Sequence, residues 1–144
     1  MHNELELSEA LHQKIKAHCA QGDGMADARR FEDAIAEYNK AWVLIPEPKN
    51  NWHAATWVLA AIADSAYLGG YATTAREAIE YGMTCPSAVG NPFMHLRFGQ
   101  ILLDANEKDR AADELMRAYM GAGPEIFATE DSKYISFLKT RAIL

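Results

Sequence analysis

Residues 30–46, "RFEDAIAEYNKAWVLIP", carry apolar side chains at helical spacing: Phe31, Ala34, Ile35, Tyr38, Ala41, Trp42 and Ile45. Recurrence at i, i+3, i+4 and i+7 marks one buried face of an α-helix. Two positions on that face, Ala34 and Ala41, are held small, and Pro46 ends the run. Small residues on a packing face let a second helix approach closely, while Phe31, Tyr38 and Trp42 fill the space around them.

Outward from this stretch the same period covers most of the chain. It is interrupted at "PEPKNN", "LGGY", "CPSAVGNP", "DANEKD" and "GAGP". Sustained alternation and Asn-Gly hairpins are absent, so strands are not expected. The pattern predicts helices over about 8–28, 31–45, 51–68, 71–84, 92–104, 107–121 and 131–142.

The helices come in pairs, and the pairs share a frame. Ala34, Ala75 and Ala111 each open a second helix; four residues on stand Tyr38, Ile79 and Leu115, and three further on Ala41, Gly82 and Ala118. Twelve residues before each anchor is a small residue (Gly22, Ala63, Gly99), followed three later by Met25, Ala66 and Leu102. The anchors are 41 and 36 residues apart, the extra length falling between repeats in segments such as "EPKNNWH".

These residues resemble the tetratricopeptide repeat, a unit of about 34 residues with the pattern W-x2-L-G-x2-Y…A-x3-F…P. The repeats fall at about 15–48, 56–89 and 92–125. Departures are clear: the tryptophan slot holds His18, Leu59 and His95, and only the first repeat has the terminal proline in place. The resemblance implies an all-α fold, a right-handed superhelical solenoid of three helix pairs within one domain, 1–144. "TEDSKYISFLKTRAIL" reads as a C-terminal capping helix over about 131–142, with Thr129 as N-cap and Tyr134, Ile135, Phe137 and Leu138 covering the third repeat.

Composition narrows the class of function. The 144 residues are 49% hydrophobic with a formal net charge of −6, enough for a core without disulfide or metal and the wrong sign for phosphate or anionic lipid. No nucleic-acid or membrane partner is expected. "MHNELELSEALHQK" lacks the apolar core of a signal peptide, and "AATWVLAAIADSAYLGGY" is broken by Asp64 and Gly-Gly, so it reads as a buried helix. Cys19 and Cys85 form no CxxC and read as two free thiols in a reducing compartment, the cytoplasm.

Catalytic and metal chemistry find no support. His12 and His18 are six apart and face different ways; His18 and His95 occupy an aromatic packing slot; Cys19 and its neighbour diverge on a helix. "QGDGMAD" matches neither a phosphate loop nor a calcium loop. No enzyme, metal or cofactor is expected.

In the repeat family the first helix of each pair lines a concave face used for binding. That resemblance places Lys16, Asp23, Asp27, Trp57, Asp64, Tyr67, Phe93, Arg97, Gln100 and Asp104 on the face. Aromatics beside carboxylates suit a partner with basic and apolar side chains. The basic clamp that some repeats use to hold an acidic chaperone tail is missing, since its slots hold Cys19, Asp23, Ala61, Phe93 and Arg97. The tail "GAGPEIFATEDSKYISFLKT", after "NPFMHLRFGQ", is similar to small tetratricopeptide proteins encoded beside bacterial Rhs-type toxins. That likeness implies an immunity protein that binds a basic toxin domain. A general scaffold or adaptor is the alternative.

Overall fold

The structure, a computed structural model, describes residues 7–144. The acidic opening, 1–6, lies outside them. The described residues contain seven α-helices, two 3-10 turns and no strand. They fall into two compact units, one running to Ala88 and one from Val89 onward.

The first unit holds two helix pairs: α1 (Glu9–Asp27) with α2 (Phe31–Leu44), and α3 (His53–Gly69) with α4 (Ala72–Gly82). The second holds α5 (Pro92–Asp104) with α6 (Lys108–Ala122), then a 3-10 turn at Pro124–Phe127 and α7 (Ser132–Lys139). Each expected helix is present.

All three pairs turn the same way. The residue five before each anchor is left-handed: Arg29 (φ 61), Gly70 (φ 84) and Asn106 (φ 63). The next backbone N–H, of Arg30, Tyr71 and Glu107, donates to the carbonyl of Met25, Ala66 and Leu102 at 2.8, 2.8 and 2.9 Å. This is the six-to-one bond of a Schellman helix end, which satisfies a carbonyl that the ending helix leaves open.

Packing follows the repeat frame. The anchors Ala34, Ala75 and Ala111 are buried, as are Tyr38, Ile79 and Leu115 and the small residues Ala41, Gly82 and Ala118. A Cβ on Gly22 would stand 2.5 Å from Tyr38 Cε1, and one on Gly99 would stand 2.6 Å from Leu115 Cγ. Glycine is therefore what lets these helices touch. Between the pairs of the first unit, the Trp42 ring meets Tyr81 edge-on with centroids 5.5 Å apart. Lys49 Nζ donates to the Trp42 and Ile45 carbonyls at 2.8 and 2.6 Å and so caps the end of α2.

The histidines in the tryptophan slot are structural, and each has a dedicated partner. His18 Nδ1 is 2.9 Å from Glu37, and His95 Nδ1 hydrogen-bonds Glu114, both across the same offset of 19 residues. The middle pair has Leu59 and Ala78 at these two positions, both buried. The slot thus takes either a polar pair or an apolar pair. The His18 and Lys40 hydrogen bonds hold the Glu37 carboxyl below the usual range.

The C-terminal helix differs from expectation at both ends. It is eight residues long, and its N-cap is Asp131, not Thr129. The Asp131 carboxylate accepts from the Lys133 N–H at 2.9 Å, where a negative group also meets the positive helix end. Tyr134 and Leu138 are buried, whereas Ile135 and Phe137 are only partly covered.

Candidate functional site

The positions read as a binding face can be followed helix by helix. On α1 they are Lys16, Ala20, Asp23 and Asp27, which share a face by their spacing and are all exposed. Asp23 is also tied down: the Tyr38 hydroxyl donates to it at 2.7 Å. The ring that lies on Gly22 therefore fixes the carboxylate beside it. Burial, then this bond to Asp23, raises the Tyr38 phenol well above its ordinary range.

On α3 the corresponding residues are Trp57, Ala61, Asp64 and Leu68. Trp57 is 42% exposed and Leu68 46%, while Asp64 and Tyr67 are half-buried and engaged with other groups. His12 of α1 meets the Trp57 ring edge-on, centroids 5.2 Å apart. That contact brings α1 and α3 together at the His12–Trp57 edge. Lys16 is the basic residue among the expected positions on these two helices.

On α5 the corresponding residues are Phe93, Arg97, Gln100 and Asp104, and here the expectation needs correcting. Arg97 is 6% exposed and Gln100 fully enclosed, so neither presents a free surface. Arg97 Nη1 and Gln100 Nε2 both donate to Glu130 Oε1, the latter at 2.8 Å, and Arg97 also donates to Gln100 Oε1 at 2.7 Å. The guanidinium lies over Phe93, 5.2 Å from the ring centroid. Asp104, exposed at the helix end, accepts from the Tyr134 hydroxyl at 2.8 Å and pairs with Lys133 at 3.2 Å. A buried guanidinium needs a charged, hydrogen-bonded partner, and the chain supplies one from its own C-terminal segment. Burial raises the Glu130 carboxyl, but the bonds from Gln100 and Arg97 outweigh it and hold the group below the usual carboxylate range.

No group of three His, Cys, Asp or Glu among the described residues is placed to hold a metal ion, and none of their helices is long and apolar enough to cross a membrane. Burial, with the charge of Asp23, pushes the Cys19 thiol up to about 11, and burial also raises the Cys85 thiol. Neither is an activated nucleophile, since the thiolate is the reactive form.

No protein-family model matches the chain, and no curated protein matches it in sequence. Among solved structures it is similar to the type III secretion chaperone SycD of Yersinia enterocolitica, determined in complex with a peptide of the translocator YopD. The TM-score is 0.67 at 18% identity, covering 96% of this chain and 95% of that one. The likeness is one of fold: all-α, built of helix pairs of the tetratricopeptide-like kind, with no catalytic motif among the described residues.

Proposed function

We propose that the chain is a non-enzymatic binding module that holds a peptide or protein partner, and that it does so on the α1–α3 face of the first unit. One observation carries the choice of face. Lys16, Ala20, Asp23 and Asp27 on α1 and Trp57 and Leu68 on α3 are exposed, whereas Arg97 and Gln100 on α5 are taken by Glu130. The similar fold of a chaperone determined with a bound peptide supports the class of function. Trp57 and Leu68 supply apolar contact area, and Asp23, Asp27 and Asp64 select a partner with basic side chains and speed its approach.

The narrower reading, an immunity protein that neutralises a basic toxin domain, is supported by the resemblance of the tail alone. The general adaptor is therefore favoured, and a cytoplasmic setting belongs to the same proposal.

A peptide library displayed against the immobilised protein tests the reading. Enriched peptides should combine Lys or Arg with large apolar residues, and their amide shift changes should cluster on α1 and α3. Trp57→Ala should speed dissociation, and Asp23→Lys with Asp64→Lys should slow association and invert its salt dependence. Enrichment of acidic peptides, or shift changes confined to α5–α7, would overturn the proposal.

A further inference from the structure

The two His–Glu pairs look alike but are wired differently. His95 is buried, and both of its ring nitrogens are engaged: Nδ1 with Glu114, and Nε2 with the Gly90 N–H, which donates to it at 2.8 Å. A backbone N–H can only donate, so Nε2 must be unprotonated and Nδ1 must carry the proton given to Glu114. His18 is more open, and among the described residues its Nε2 meets no hydrogen-bond partner.

We propose that His95 is a proton-operated latch on the segment that enters α5. A proton taken up at Nε2 sets an N–H against the Gly90 N–H, so that bond must break and the backbone there is released. The Glu114 bond survives and becomes an ion pair, so the ring stays anchored to α6. At His18 the same proton costs no bond and only adds charge to the Glu37 contact. Acid therefore acts on one pair and spares the other.

The surroundings leave few other groups to blur this response. From α6 the contact is Glu114; Arg110 lies over Phe98, while Asp113 and Arg117 are exposed. On α5 itself Arg97 is committed to Glu130, and residues 88–92 carry no charge. Glu125 in the following 3-10 turn is exposed and lies beside Gly123.

Long-range nitrogen–proton NMR on the imidazoles, with amide exchange at Gly90, tests this between pH 8 and pH 5. At pH 8 His95 should show the Nδ1–H tautomer. As His95 titrates, Gly90 should lose roughly three- to tenfold in protection, the equivalent of one hydrogen bond. The double variant His95→Leu with Glu114→Ala reproduces the apolar pair of the middle repeat. It should keep wild-type helicity while Gly90 exchanges at one pH-corrected rate throughout. An Nε2–H tautomer at pH 8 would overturn the proposal. So would Gly90 protection that is unmoved by the titration, or an unchanged pH response in the double variant.

Discussion

The ring of Tyr38 on α2 occupies the space that a side chain on Gly22 of α1 would need, its Cε1 standing 2.5 Å from the Cβ position. Because the ring is buried and its hydroxyl is held by Asp23, it has little freedom to withdraw. Gly22→Ala should cost about 1–3 kcal/mol in urea denaturation, the usual range for overpacking. Adding Tyr38→Ile gives the combination that the middle repeat already uses, Ala63 with Ile79, and should recover a large part of the loss. Independent, additive losses would show that the two positions are not matched.

Arg97 and Glu130 are both largely enclosed, so removing one leaves a buried charge without its partner. Arg97→Ala should destabilise by roughly 3–5 kcal/mol. The Glu130 carboxyl is held low in the folded chain, so its contribution is complete above its unfolded value and is lost as pH falls through the folded one. The stability gap between wild type and Glu130→Gln should accordingly be constant near neutrality and close in acid, below about pH 4. A gap that widened on acidification would contradict the bond network.

Gly70 turns the second helix pair with φ +84, a conformation that costs a residue with a Cβ about 1–2 kcal/mol. Gly70→Ala should lower stability by about that amount, although a Cβ there would meet open space. Asn106→Gly, at the same joint of the third pair, should be neutral or slightly stabilising. Thermal melts of both variants separate backbone strain from packing.

The Cys19 thiol, pushed up to about 11, is almost wholly protonated at pH 8. Its reaction with a thiol-specific disulfide reagent in the native protein should run roughly a hundredfold slower than a free cysteine's, in proportion to the missing thiolate. Cys19→Ser and Cys85→Ser should leave partner binding intact. A fast native reaction at Cys19 would mean that its helix opens locally.

The helix pairs were legible because their signal is local. Ala34, Tyr38 and Ala41 declare a close-packed face within one turn or two, and the frame repeats without gaps inside each pair. The His–Glu pairs were not read, although they leave a trace: His18 with Glu37 and His95 with Glu114 share an offset that the middle repeat fills with Leu59 and Ala78. Only the partner's identity at both ends makes that trace meaningful, and a histidine alone does not supply it.

The burial of Arg97 and Gln100 on α5 is illegible for a different reason. Arg97, Gln100 and Asp104 have the spacing of an open surface, and nothing within their helix announces Glu130 or Tyr134. The path that brings those two residues back depends on Gly123 and the 3-10 turn after it, a long-range event with no periodic signature. The cap of α7 was a nearer miss: Thr129 and Asp131 both offer side-chain oxygens, and the ionised carboxylate is the one that holds the helix end.

The joints at Arg29, Gly70 and Asn106 are closed by bonds between main-chain atoms, and three unrelated side chains occupy them. A crossover in the gene at any of these joints would return a turn that still closes, whichever two repeats were spliced. The helices so joined must still match across the turn, since Ala63 against Tyr38 or Leu59 against Glu37 would call for a second change, and whole pairs are therefore the units that recombination can exchange. The number of pairs becomes a quantity that evolution, or an engineer, can change in whole steps.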